Sequence, residues 1–136
     1  DIVRLHLSQG LGFSPEDRSI NIRRIGFVAS EAVKHGGVAI AANIAPFEKD
    51  RKVNRDVISA NGEYIEVYVN SSLETCEKRD VKGLYKLARK GIVKEFTGIS
   101  SPFEVPKDCE LELDGSLPIE QNVNKIIKYL RDRELI

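Results

Sequence analysis

The feature that most restricts the fold is Val38-Ala39-Ile40-Ala41-Ala42-Asn43-Ile44, an apolar run set between Gly36-Gly37 and Pro46. Its length suits a strand, and it shows no polar alternation, so neither face is suited to water. Strands of that kind belong inside parallel sheets, where helices cover both faces. The preceding segment agrees. Ser14-Pro15-Glu16-Asp17 reads as a helix start, with Ser14 as cap, Pro15 at the first helical position and two acids meeting the positive end of the dipole. Ile22, Ile25, Ala29, Ala32 and Val33 then recur at three- and four-residue spacing until Gly36-Gly37 ends the helix.

The alternation continues downstream. Residues 47–60 are charged with a narrow apolar stripe of Val53, Val57 and Ile58, and Asn61-Gly62 closes that helix. Tyr64 to Val69 is rich in β-branched and aromatic residues, as strands are. Ser71 with Glu74 three positions on is a capping-box pattern that opens another helix. Leu84 to Lys90 reads as helix stopped by Gly91, Glu110 to Leu113 as a short strand, and Val123, Ile126, Ile127 and Leu130 as the apolar side of a helix after Pro118. Helices alternating with strands make an α/β fold with a mainly parallel sheet. Ligands of such sheets lie beyond the carboxyl ends of the strands, which here means Asn43 to Pro46 and Asn70 to Ser72. At 136 residues and 41% apolar content, one domain spanning 1–136 is expected.

Twenty-one basic residues balance twenty-one acidic ones. A chain without net charge has no global field for nucleic acid or an anionic membrane, so any anion site must be local. Cys76 and Cys109 have neither zinc-ligand nor disulfide-framework spacing, no apolar run reaches about 18 residues, and no leader pattern opens the chain. A soluble protein of the reducing cytoplasm is expected.

One local concentration of anion-binding chemistry stands out. Gly10-Leu11-Gly12-Phe13 precedes the first helix cap, and Arg18, Asn21, Arg23 and Arg24 follow it. An aromatic face stacks on a planar base, an arginine fork grips phosphate or sulfate at two points, and Asn21 can both donate and accept. The alternative is a hydrophobic staple at Phe13 with ordinary surface arginines. A second concentration, six cations between Arg79 and Lys94, reads by composition as a solvated helix face. Arg51 is expected in solvent, and His6 and His35 have no partner pattern.

Asp1-Ile2-Val3-Arg4, the Gly10 to Arg24 stretch, Asn43-Ile44-Ala45-Pro46-Phe47 and Arg79-Asp80-Val81-Lys82-Gly83-Leu84-Tyr85 together resemble the adenylylsulfate kinases. These enzymes phosphorylate adenosine 5′-phosphosulfate at its 3′-hydroxyl. The resemblance implies a P-loop kinase-like three-layer fold, with ATP and adenylylsulfate as substrates and Mg²⁺ as the cofactor accompanying ATP. It makes Asp1 the catalytic base or the holder of a metal-bound water. Arg4, Phe13, Arg18, Asn21, Ile44, Ala45, Lys82 and Phe96 become substrate contacts, with Phe13 and Phe96 clamping the adenine. Segment 79–99 becomes a mobile lid whose Arg79 lies on the ATP side. A homodimer, possibly joined to ATP sulfurylase, is implied as well.

Two departures and one gap accompany the resemblance. Ala45 stands where many members have serine, and Glu95 where most have glycine. No Gly-x-x-x-x-Gly-Lys-Ser/Thr occurs in the chain. Relatives carry that loop upstream of the position of Asp1, so the expected domain lacks the first strand, the P-loop and the first helix. A kinase-like domain of ATP sulfurylase that binds 3′-phosphoadenylylsulfate without catalysis is the alternative function.

Overall fold

The computed structural model describes residues 2–136, with Arg4 described by its main chain only. The element order is α1 (Ile2–His6), α2 (Pro15–Lys34), α3 (Glu48–Ser59), β1 (Val67–Asn70), α4 (Leu73–Arg79), α5 (Leu84–Arg89), β2 (Leu111–Asp114) and α6 (Ile119–Asp132). The chain divides into two compact units, Asp1–Tyr64 with Leu84–Val105, and Ile65–Gly83 with Pro106–Ile136.

In the first unit, α2 packs along α3. Ser14 caps α2 as the sequence predicts, its Oγ accepting the Asp17 N–H at 3.1 Å. The fully buried residues of α2 are Ser19, Ile22, Gly26 and Ser30, and the rest of the apolar stripe expected from the periodicity, Ile25, Ala29, Ala32 and Val33, is half-buried beside them. Ser19 Oγ donates to Asp50 Oδ2 at 2.6 Å, and Asn54 Nδ2 donates to the Ile22 carbonyl at 3.1 Å. Asn61 Nδ2 donates to Ser30 Oγ at 2.9 Å. The seam is thus hydrogen-bonded and close: a Cβ on Gly26 would lie 2.1 Å from Asn54 Oδ1. Phe47, at the start of α3, offers no side-chain cap. Glu104 supplies one from far along the chain, its Oε2 accepting the Glu48 N–H at 2.6 Å.

The run from Val38 to Ile44 corrects the expectation of a buried strand. It is irregular, and Val38 and Ile40 are 83% and 92% exposed. A strand exists only through its ladder, and no strand among the described residues pairs with this run. Its composition still marks it for a sheet interior.

In the second unit, β1 and β2 pair in parallel with Val67 opposite Leu111 and Asn70 opposite Asp114. Leu111 and Leu113 are buried while Glu112 and Asp114 are exposed, the period of two that a one-sided strand requires. Asn70 Nδ2 reaches across to Glu112 Oε1 at 2.8 Å. α6 packs on β2, and Asn122 Nδ2 donates to the Asp114 carbonyl at 2.8 Å. Ser72, one residue later than expected, caps α4 by accepting the Thr75 N–H at 3.2 Å. β1 also starts later than the sequence suggests, at Val67.

Candidate nucleotide site

The approach to α2 is tied down locally. Gly12 donates its N–H to Asp17 Oδ2 at 2.9 Å, and a Cβ built on Gly12 would itself lie 2.9 Å from that oxygen. Phe13 is 52% exposed. Arg18 donates Nε to the Phe13 carbonyl at 2.9 Å and Nη2 to the Glu95 carbonyl at 2.7 Å, with its guanidinium carbon 5.7 Å from the Phe13 ring centroid. The guanidinium fork therefore fastens Phe13 to the residue that precedes Phe96. One turn further, the amide oxygen of Asn21 accepts from the buried Ser8 hydroxyl, which leaves donation to Nδ2. Nothing in the sequence pattern pointed to Ser8.

Phe96 is half-buried and anchored through its main chain and one edge of its ring. Its N–H donates to Ser100 Oγ at 2.9 Å, and its carbonyl accepts from the N–H groups of Ile99, Ser100 and Ser101 at 3.0–3.1 Å. Its ring meets Tyr85 of α5 edge-on, centroids 4.8 Å apart at 74°. The adjacent Glu95 has φ of +54°, the left-handed region. That accounts physically for the glycine expected there, since a side chain in this conformation costs about 1–2 kcal/mol.

Ala45 is also left-handed, with φ of +42°. Ile44 beside it is exposed, while Pro46 and Phe47 are buried. The expectation of a solvated Arg51 is overturned: only 7% of it is exposed. Its Nη1 donates to the Ala45 carbonyl at 2.8 Å and its Nη2 to the Glu104 carbonyl at 2.9 Å. Arg51 sits in the first turn of α3, so its side chain folds back onto the chain entering that helix rather than outward. A path of contacts thus links the sequence-selected residues of this unit. Arg18 joins Phe13 to Glu95, its neighbour Ser19 bonds Asp50, and Asp50's neighbour Arg51 holds Ala45.

The second unit carries Arg79 and Lys82. Arg79 Nη2 donates to the Gly115 carbonyl at 2.8 Å, tying the end of α4 to the turn after β2. Lys82 is exposed, just before Gly83 with φ of +67°. A cavity of about 610 Å³ opens at the carboxyl ends of β1 and β2, lined in part by Asn70, Ser71, Ser72 and Asp114. Ser116 holds the Asp114 carboxyl below its ordinary value of 3.8, first through its hydroxyl at 2.6 Å and then through its N–H at 2.8 Å. Asp1 and the side chain of Arg4 lie outside the described residues. Among the described residues, no group of three or more His, Cys, Asp or Glu side chains is placed to hold a metal ion, and no helix is long and apolar enough to cross a membrane.

A family model described as adenylylsulphate kinase matches residues 1–114. The adenylyl-sulfate kinase of Staphylococcus epidermidis is 51% identical over 137 residues, covering 100% of this chain and 68% of its own length. A probable adenylyl-sulfate kinase of Halalkalibacterium halodurans is 54% identical over 135 residues, covering 98% of this chain and 66% of its own length. Among solved structures, the APS kinase of Mycobacterium tuberculosis in complex with AMPPNP and APS matches with a TM-score of 0.92 at 36% identity, over 96% of this chain and 76% of that one. A hexameric APS kinase from Thiobacillus denitrificans matches with a TM-score of 0.70 at 36% identity, over 98% of this chain and 21% of that one. The fold is therefore that of the P-loop kinases, and the chain belongs to the adenylylsulphate kinase family.

Proposed function

We propose that this chain supplies the acceptor-binding part of an enzyme that transfers the γ-phosphoryl group of ATP to the 3′-hydroxyl of adenosine 5′-phosphosulfate, giving 3′-phosphoadenylylsulfate and ADP. The observation that carries this reading is the likeness, at a TM-score of 0.92, to an APS kinase in complex with AMPPNP and APS. In the proposed step the 3′-oxygen bonds to the γ-phosphorus, the bond from that phosphorus to the β,γ-bridging oxygen breaks, and the hydroxyl proton passes to a base. Asp1 is the proposed base. An alanine carries no hydroxyl, so transfer runs directly between the nucleotides and not through a phosphorylated side chain at position 45.

The other roles follow from the chemistry of each group. Phe13 and Phe96 clamp the adenine; the exposure of one ring and the anchoring of the other by Tyr85 support this. Arg18 binds the acceptor while keeping Phe13 and Glu95 at a fixed spacing, and Asn21 donates to the acceptor through Nδ2. Ile44 and Ala45 line the base, while Arg4 and Lys82 bind the anionic part of the acceptor. Arg79 serves the ATP side, as the family resemblance implies. Segment 79–99 acts as a lid that brings cations only when phosphates are bound. Mg²⁺ enters with ATP and supplies charge neutralisation. The phosphate cradle, in this proposal, belongs to a segment outside these 136 residues, whose strand pairs with Val38–Ile44. A cytoplasmic homodimer, alone or joined to ATP sulfurylase, completes the reading.

The test is ADP release by the full-length protein with Mg-ATP and adenylylsulfate. Saturable turnover is expected, with Asp1→Ala lowering kcat by about 100-fold or more. Binding of 3′-phosphoadenylylsulfate without turnover would overturn the enzymatic reading in favour of a regulatory module. Equal phosphorylation of AMP would point to another small-molecule kinase.

A further inference from the structure

We propose that Arg51 is a positioning residue for the acceptor side of the site, holding Ala45 in its left-handed conformation and locking the Ile44-Ala45 turn to the loop that follows Phe96. The inference rests on the proposed function, because it takes Ile44 and Ala45 to line the acceptor base.

Three observations converge on Arg51. The first is backbone geometry. Ala45 has φ of +42°, a conformation that a side chain leaves unless its surroundings over-determine it. Arg51 Nη1 is on the carbonyl of that same residue, at 2.8 Å. The second is burial. An arginine left 7% exposed gives up hydration of its guanidinium that hydrogen-bond acceptors such as main-chain carbonyls must replace, and a helix-surface arginine would have kept it. The third is the partner on the other end of the fork. Nη2 bonds the Glu104 carbonyl at 2.9 Å, and Glu104 in turn donates its N–H to the Pro46 carbonyl at 2.9 Å.

Two stretches of chain, 44–47 and 96–105, are thereby pinned together around one rigid planar group. Capping α3 does not explain this arrangement, since the Glu104 carboxylate performs that task on the Glu48 N–H. Nor does ordinary packing, since a lysine or a methionine would fill similar space without bonding two carbonyls at once. Arg51 acts through Ala45 and touches no reacting atom in this account. Its effect belongs to the acceptor and not to ATP.

The experiment compares the full-length protein with Arg51→Lys, Ala45→Gly and the double variant. Lysine keeps the charge but reaches only one carbonyl, and glycine adopts positive φ without a strut. Arg51→Lys is expected to raise the KM for adenylylsulfate about tenfold while changing the KM for ATP by less than about twofold. Adding Ala45→Gly to Arg51→Lys is expected to recover most of that loss. In melting experiments, Ala45→Gly should stabilise the Arg51→Lys protein more than it stabilises the parent, a coupling that is read without activity. An unchanged adenylylsulfate KM in Arg51→Lys, an equal rise in both KM values, or no recovery on adding Ala45→Gly would overturn the inference. If the parent protein fails to turn over adenylylsulfate, the proposed function falls, and the melting coupling alone then decides whether Arg51 is the strut of Ala45.

Discussion

Glu95 and Ala45 hold backbone angles that side chains rarely adopt, and both have an arginine on their carbonyl oxygen. Arg18 and Arg51 thus serve main-chain geometry next to the residues that the sequence selected for substrate. The family resemblance makes Arg18 a substrate contact, and its bonds to the Phe13 and Glu95 carbonyls add a task that no sequence pattern marks. Arg51 left no mark at all, because an arginine in a charged helix looks the same whether it faces water or folds back. At this scale Asp114 offers a pH-dependent test. Its carboxyl is held low by the Ser116 hydroxyl and N–H, so the ionised form is favoured in the folded state. The stabilisation is present above the ordinary pKa of 3.8 and disappears as pH falls through the lowered folded value. Ser116→Ala should therefore bring the Asp114 pKa back towards 3.8, followed by NMR titration of the carboxyl carbon. Its stability cost should appear at neutral pH and vanish in acid.

Among the elements, α2 shows what periodicity finds, a helix and its covered half, and what it misses, the small polar residues of the contact itself. Its caps and length were legible from Ser14-Pro15 and Gly36-Gly37, since both depend on local backbone chemistry. Its buried side was legible only through Ile22, because the rest of the α2–α3 seam is serine, glycine and asparagine while Phe27 and Val28 face solvent. A stripe of apolar residues cannot identify a contact built on hydrogen bonds and close approach. The seam makes its own prediction. Gly26→Ala gains about 1 kcal/mol of helix propensity but drives a Cβ to 2.1 Å from Asn54 Oδ1, and overpacking costs about 1–3 kcal/mol. A net loss of stability is expected by chemical denaturation. Pairing it with Asn54→Ala, which removes the colliding oxygen, should recover part of it.

For the molecule as a whole, the α/β alternation was readable because every turn signal is local, while the sheet was readable only where both strands lie in the chain. β1 and β2 pair as the pattern implies. Val38 to Ile44 has the composition of an interior strand and no ladder among the described residues, so its apolar side chains stand in water. If this run is a sheet interior in the full-length protein, as proposed, Ile40→Asp should cost about 3 kcal/mol or more and lower the melting temperature sharply. A surface position would change by less than about 0.5 kcal/mol, so calorimetry separates the two outcomes. The threading of the two units has a practical result of its own. The backbone passes from one to the other after Tyr64, after Gly83 and after Val105, so neither unit is an unbroken piece of polypeptide. A single protease cut cannot liberate either one, and subcloning half of the gene would yield two broken hydrophobic interiors rather than one intact module.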